Sequence, residues 1–313
     1  MRAPYPWFGG KSRVANIVWR EFGDVSNYVE PFAGSLAVLL GRPECHKRSI
    51  ETVNDKDGYV CNFWRALAGD PEAVIQHCDW PVNEADLTSR HHWLVGDGRT
   101  IIERVTEDAD YYDAKVAGWW VWGICAWIGT GWCSGTRTSK RPHLGDRGMG
   151  VHRQRPHLGN RGMGVHRQGG MPDELRDLAD RLRRVRVCCG DWERVVTDGA
   201  TACGATVGVF LDPPYDLKIR AKGCYNQDED GLAVRCREWA LGKTDDPRFR
   251  VILCGYEEEH AEPMAQAGWR MVAWKAQGGY SNPGTPGEGN ARKERLWLSP
   301  SCLGTGAKQG KLW

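Results

Sequence analysis

Short apolar runs alternate with amphipathic stretches along much of the chain, a rhythm that reads as strands alternating with helices. Val14, Ile17 and Val18 fall at helical spacing; a brief strand over 28–30 then leads through a glycine turn into an apolar helix over 36–40. A further helix runs through Leu67. From 71 to 115 the rhythm lapses into helical spacing alone, behind Pro71, with apolar positions at Val74, Ile75, Leu87, Trp93, Leu94 and Ile101. It resumes with strands over 185–187 and 207–211, a helix over 232–241, a strand over 250–254, a helix over 257–267, a strand over 269–274 and, after a loop over 276–291, a final strand. The pattern predicts an α/β protein interrupted by a mainly helical insertion.

One stretch, residues 116–132, is uncharged and rich in tryptophan. It is short for a membrane span and broken by glycines, so it reads as a buried helix followed by a turn. Trp119, Trp122, Ile124 and Trp127 are its expected core positions, and Trp132 is a candidate surface wedge into DNA. No membrane association is expected.

With 313 residues the chain can bury one large core and a smaller module. A formal net charge of +2 leaves no uniformly basic surface, so contact with nucleic acid requires a local patch. Twelve cysteines occur without a CxxC pair or a secretory signal, which reads as reduced thiols in the cytoplasm.

A local patch is present. Residues 141–154 are repeated at once as 155–168, differing only at Asp146 against Asn160. Arg137, Lys140, Arg141, Arg147, Arg153, Arg155, Arg161 and Arg167 place many cations here, on a glycine-rich loop able to follow phosphates. The plain alternative is a solvated insertion produced by duplication. His143, His152, His157 and His166 lack cysteine or carboxylate partners at ligand spacing, so no metal site is expected.

The clearest chemical signal is Asp212-Pro213-Pro214-Tyr215, directly after the apolar run Val207–Leu211. It reads as a buried strand that stops abruptly and leaves a carboxylate, a bare carbonyl and a ring at its carboxyl edge, where open α/β sheets bind ligands. These groups suit methyl transfer to an exocyclic amine. Asp212 and the Pro213 carbonyl would accept the two N–H groups, and Tyr215 would stack on a base taken out of the duplex.

Four further segments accompany it. Trp7-Phe8-Gly9-Gly10-Lys11 offers a glycine approach and a cation. Glu30-Pro31-Phe32-Ala33-Gly34-Ser35 forms a strand, glycine turn and helix start, as at a nucleotide-cradling edge. Asp55 stands where such folds place an acid against ribose hydroxyls, or else caps the following helix. Asp191-Trp192 after the 185–187 strand is either an adenine-side pair or another cap with a core tryptophan.

In this order, WFGGK, EPFAGS, VNDKD, GDW and DPPY resemble the motifs of the Dam-type (alpha-group) DNA adenine-N6 methyltransferases. The resemblance implies a Rossmann-like fold that uses S-adenosyl-L-methionine, with an inserted mainly helical target-recognition domain. It implies cofactor-binding roles for Trp7, Gly10, Lys11, Glu30, Pro31, Phe32, Gly34, Ser35, Asp55, Asp191 and Trp192, and catalytic roles for Asp212, Pro213, Pro214 and Tyr215. One copy of the repeat looks like that family's DNA-contacting hairpin. Cys133-Ser134-Gly135 stands where close relatives tend to show Asn-Gly, so target-sequence rules do not carry over.

The expected organisation is a catalytic part over 1–69, the recognition domain over 70–170 with its duplicated basic loop at 141–168, a second catalytic part over 171–300, and a disordered tail over 301–313. The expected partner is double-stranded DNA, bound by a monomer or weak dimer, in the cytoplasm of a bacterium or phage-infected host. Cytosine-N4 methylation, RNA adenine methylation and DNA binding without turnover are the alternatives. Restriction protection, phage defence and gene regulation are all compatible settings.

Overall fold

The computed structural model describes residues 1–7, 10–47, 49–127, 132–133, 170–201, 204–214, 231–274 and 294–304. Tyr215, the polar run after it, the duplicated loop with Arg137 and Lys140, and the 276–291 loop lie outside these residues, as do Phe8 and Gly9 of the first motif.

The elements follow in the order α1 (Ala15–Phe22), β1 (Asn27–Glu30), α2 (Ala37–Leu40), β2 (Ile50–Asp55), α3 (Gly58–Gly69), α4 (Pro71–Cys78), α5 (Glu84–Val95), α6 (Asp97–Glu107), α7 (Ala114–Ala126) and α8 (Met171–Leu182). Then come β3 (Val185–Cys189), a 3-10 turn over Trp192–Val195, α9 (Asp198–Thr201), β4 (Val207–Leu211), α10 (Leu232–Leu241), β5 (Phe249–Tyr256), α11 (Glu257–Gln266), β6 (Arg270–Ala273) and β7 (Glu294–Leu298). The strands form one seven-stranded sheet in the order β3-β2-β1-β4-β5-β7-β6. β1 to β5 pair in parallel, and β7 runs antiparallel to both β5 and β6. This is the mixed α/β, mostly parallel sheet of a Rossmann-like methyltransferase fold.

The order explains why the central strands read as unbroken apolar runs. β4 has neighbours on both edges and helices on both faces, so all five of its residues are buried. Residues alternate between two apolar layers. Phe210, Ile252, Leu296 and Leu298 join the large cluster with α1, α2, α3, α7 and α8, while Val209, Leu211, Val251 and Trp297 face α10 and α11. The lapse of strand–helix alternation at 71–115 does not produce a separate apolar centre, because α4 to α7 contribute to the first cluster alongside α3 and α8.

In α7 the deeply buried tryptophans are Trp120 and Trp122; Trp119, Ile124 and Trp127, expected as core, are only partly buried against that cluster. A helix apolar on nearly every face has no polar stripe by which to choose its buried side. Trp132 is a clear correction. It is no wedge: its ring lies over Gly123, where an added Cβ would sit 1.8 Å from it, and its indole donates to the Trp120 carbonyl. No described helix is long and apolar enough to cross a membrane.

Residues 301–304, expected to be disordered, instead fold onto α1. The Leu303 amide donates to the Glu21 carbonyl, the Gly304 amide to the Glu21 carboxylate, and Cys302 is buried.

Candidate active site

Because β1 to β4 are parallel neighbours, their carboxyl ends form one edge. Register places Val29 beside Val209, Glu30 beside Val53, and Asp55 beside Cys189, so the glycine turn after β1 and the Asp-Pro-Pro segment after β4 leave from the same side. Asn54 draws three of these ends together. Its carbonyl accepts the Ala33 amide at 2.8 Å, and its side chain donates to the carbonyls of Pro31 (3.1 Å) and Gly190 (3.0 Å).

The glycine turn is held from every side. Gly34 has φ +45°, and its Cα faces the Trp7 indole so closely that a Cβ would lie 2.4 Å from Nε1. Its carbonyl accepts from Tyr5 Oη (2.9 Å) and Trp64 Nε1 (3.0 Å), while its amide donates to Asp55 Oδ2 (2.8 Å). The first motif therefore docks on the second by packing. Ser35 is buried, and Phe32 stacks on Trp192 at 6.0 Å between ring centres.

Asp55 also accepts the Asp57 amide at 2.9 Å. The cap of α3 is Asp57, which accepts the Tyr59 amide, so the capping alternative for Asp55 falls two residues further on. Burial, and then the charge of Asp57, push the Asp55 carboxyl up to about 6. Asp191 caps the 3-10 turn through the Glu193 amide, and Trp192 is 4% exposed within the second apolar layer.

Glu30 turns back into the protein, accepting Tyr28 Oη at 2.9 Å and the Leu39 amide at 3.3 Å. Burial raises its carboxyl to about 8 against an ordinary 4.5, with Asp212 and Asp55 adding repulsion. The folded chain thus keeps a proton that the unfolded chain releases above 4.5, and stability drains away as pH rises from 4.5 to 8. Glu30→Gln keeps the neutral shape and both acceptor contacts. It is expected to stabilise the protein at pH 8 by about 1–4 kcal/mol and to flatten this slope, as read from denaturant midpoints at pH 5 and pH 8.

At the end of β4, Asp212 follows Leu211 and so turns to the opposite face, towards Phe210's layer. There Lys11 Nζ lies 2.9 Å from Asp212 Oδ2 and 3.9 Å from Glu294 Oε2. Lys11 is 5% exposed, whereas the Asp212 side chain keeps 20% of its surface. Burial raises the Asp212 carboxyl; the Lys11 ammonium and a hydrogen bond from the Cys254 thiol work against that rise. Pro213 is buried and Pro214 half-buried, which fixes the backbone behind the carboxylate.

Sequence reasoning assigned no role to Asn54, Cys254 or Glu294. Alternation in β7 puts Glu294 in line with the inward Leu296 and Leu298, a signal that was present but hidden by the residue's charge.

Of the acids at this edge Glu30 is buried, while Asp55 and Asp212 are partly buried; both of the latter raise Glu30, and Asp212 is paired with Lys11. Glu257, Glu258, Glu259 and Glu262 line a separate concavity at the start of α11, whose charge opposes an anionic backbone. No group of three or more His, Cys, Asp or Glu able to hold a metal occurs among the described residues.

No curated protein matches this chain. Residues 7–94, which carry the first motif, the glycine turn and Asp55, match the family model of the D12 class N6 adenine-specific DNA methyltransferases, which is consistent with the Dam-type resemblance.

Proposed function

We propose that this protein is an S-adenosylmethionine-dependent DNA adenine-N6 methyltransferase that acts on a base taken out of double-stranded DNA. The observation that carries the reading is the meeting of Asp212 and Lys11 at the sheet edge that also bears the Gly34 turn and Asp55. When bound, S-adenosylmethionine supplies a methyl group already activated by a sulfonium, so the protein's part is positioning and charge.

Trp7, Gly10, Pro31, Phe32, Gly34, Ser35, Asp55, Asp191 and Trp192 are proposed to line the cofactor side. Asp55 retains acceptor capacity for ribose hydroxyls beyond the amides of Gly34, Lys56 and Asp57 that it binds. On the target side, Asp212 and the Pro213 carbonyl would accept the N6 hydrogens and draw the nitrogen lone pair out of the ring, with Tyr215 stacking on the extruded base. Target recognition is assigned to the insertion over 70–170, with the arginines of its duplicated loop on phosphates or guanines. A cytoplasmic monomer or weak dimer is consistent with this assignment.

Plasmid DNA incubated with tritiated S-adenosylmethionine should become labelled, with N6-methyladenine as the product in a nucleoside digest read by mass spectrometry. N4-methylcytosine, or label only in RNA, would move the substrate assignment. DNA binding at saturating cofactor without label would replace the enzyme by a silent binding protein.

A further inference from the structure

We infer that Glu294 is a positioning residue for Lys11, a second counter-charge onto which the ammonium moves when the target amine engages Asp212. The inference rests on the methyltransferase reading above and adds a residue to it.

The geometry presents two carboxylates to one buried cation. Lys11 Nζ is 2.9 Å from Asp212 Oδ2 and 3.9 Å from Glu294 Oε2, so a shift of about 1 Å exchanges the tight contact for the loose one. Lys11 is 5% exposed and Glu294 7%, so neither has bulk water to compensate a lost partner. An incoming amine competes with Lys11 for the Asp212 oxygens. Without Glu294 the ammonium would hold to Asp212 and block it, or give up that 2.9 Å contact inside the protein, which costs far more than the same loss at the surface.

Around Lys11 the described titratable groups are Asp212 at the end of β4, Cys254 on β5 and Glu294 on β7, with the Trp274 ring 5.8 Å from the ammonium. Cys254 donates to Asp212, and burial and the neighbouring Asp212 carboxylate hold its thiol well above its ordinary range. The thiol thus stays protonated and occupies an acceptor without adding charge. Glu294 is left as the alternative anion. It reaches this position because β7 runs antiparallel to β5, with Glu294 opposite Tyr256.

The test is a double-mutant cycle on the full chain, read as kcat and KM for methyl transfer to DNA. Glu294→Gln should lower kcat by about 10- to 100-fold with little change in KM for cofactor or DNA. Glu294→Asp, which keeps the charge, should restore part of the loss. In a Lys11→Met background Glu294→Gln should have no further effect, since it acts through Lys11. The same fractional loss in both backgrounds overturns the inference, as does a loss explained by a fall in melting temperature.

Lysine side-chain NMR decides the matter independently of turnover. Removing the Glu294 charge should lower the titration midpoint of the Lys11 ammonium by about one pH unit, and an unchanged midpoint refutes the coupling. A wild-type chain that transfers no methyl group would remove the proposed activity, while this titration would still judge the Lys11–Glu294 link.

Discussion

Asp212→Ala should lower methyl transfer by about 10²- to 10⁴-fold while leaving cofactor affinity nearly unchanged. The carboxylate sits at the end of β4, on the layer that holds Lys11 and Cys254, and among the described residues it pairs with those two side chains. Its loss removes the acceptor for the amine and relieves a buried, desolvated acid, so a large fall in kcat need not come with unfolding. Lys11 would keep Glu294 as its counter-charge at 3.9 Å. Isothermal titration with S-adenosylmethionine, a thermal melt and single-turnover methylation separate these effects. An equal loss of cofactor binding and turnover would show that Asp212 belongs to the cofactor side.

Gly34→Ala should damage both stability and cofactor binding. A φ of +45° costs an L residue about 1–2 kcal/mol, and a methyl group 2.4 Å from Trp7 Nε1 forces the indole away at about 1–3 kcal/mol more. The peptide cannot simply rotate to escape, because its carbonyl is held by Tyr5 and Trp64 and its amide by Asp55. The expected result is a melting temperature lower by several degrees, together with a cofactor affinity reduced at least tenfold. A variant with unchanged melting and unchanged affinity would mean that Trp7 and the turn are not coupled. Gly199→Ala, at a glycine without positive φ where an added Cβ meets nothing within 4 Å, is the natural control.

Much of this edge was legible in the chain because each strand stops abruptly. Asp212 follows a short apolar run and Asp55 closes the buried strand β2, and a polar group at the end of a buried parallel strand has few places to go except the carboxyl edge. Strand order was not legible, since one sequence carries no information about which runs pair. For that reason Glu294, remote from every other site residue in the chain, could not be placed beside Lys11 until β7 was seen between β5 and β6.

Other differences have local causes. Asp55 and Asp57 compete for one cap two residues apart, and only backbone geometry decides between them. Trp132 reads as a candidate surface wedge after a glycine turn, yet the missing side chain of Gly123 makes the slot that buries it. Asn54 looks like one polar residue in a polar stretch, whereas its amide reaches the ends of two neighbouring strands.

The antiparallel insertion of β7 bears on how the protein is made. Lys11 and Asp212 are both synthesised well before residues 294–298, and the gap between β5 and β6 stays open on the ribosome until that last strand arrives. A nascent or prematurely terminated chain that stops short of Glu294 would therefore expose two unpaired strand edges next to a half-built charge cluster. Such chains should be prone to aggregation and lack the proposed activity towards DNA, which only molecules whose translation has passed this strand could show.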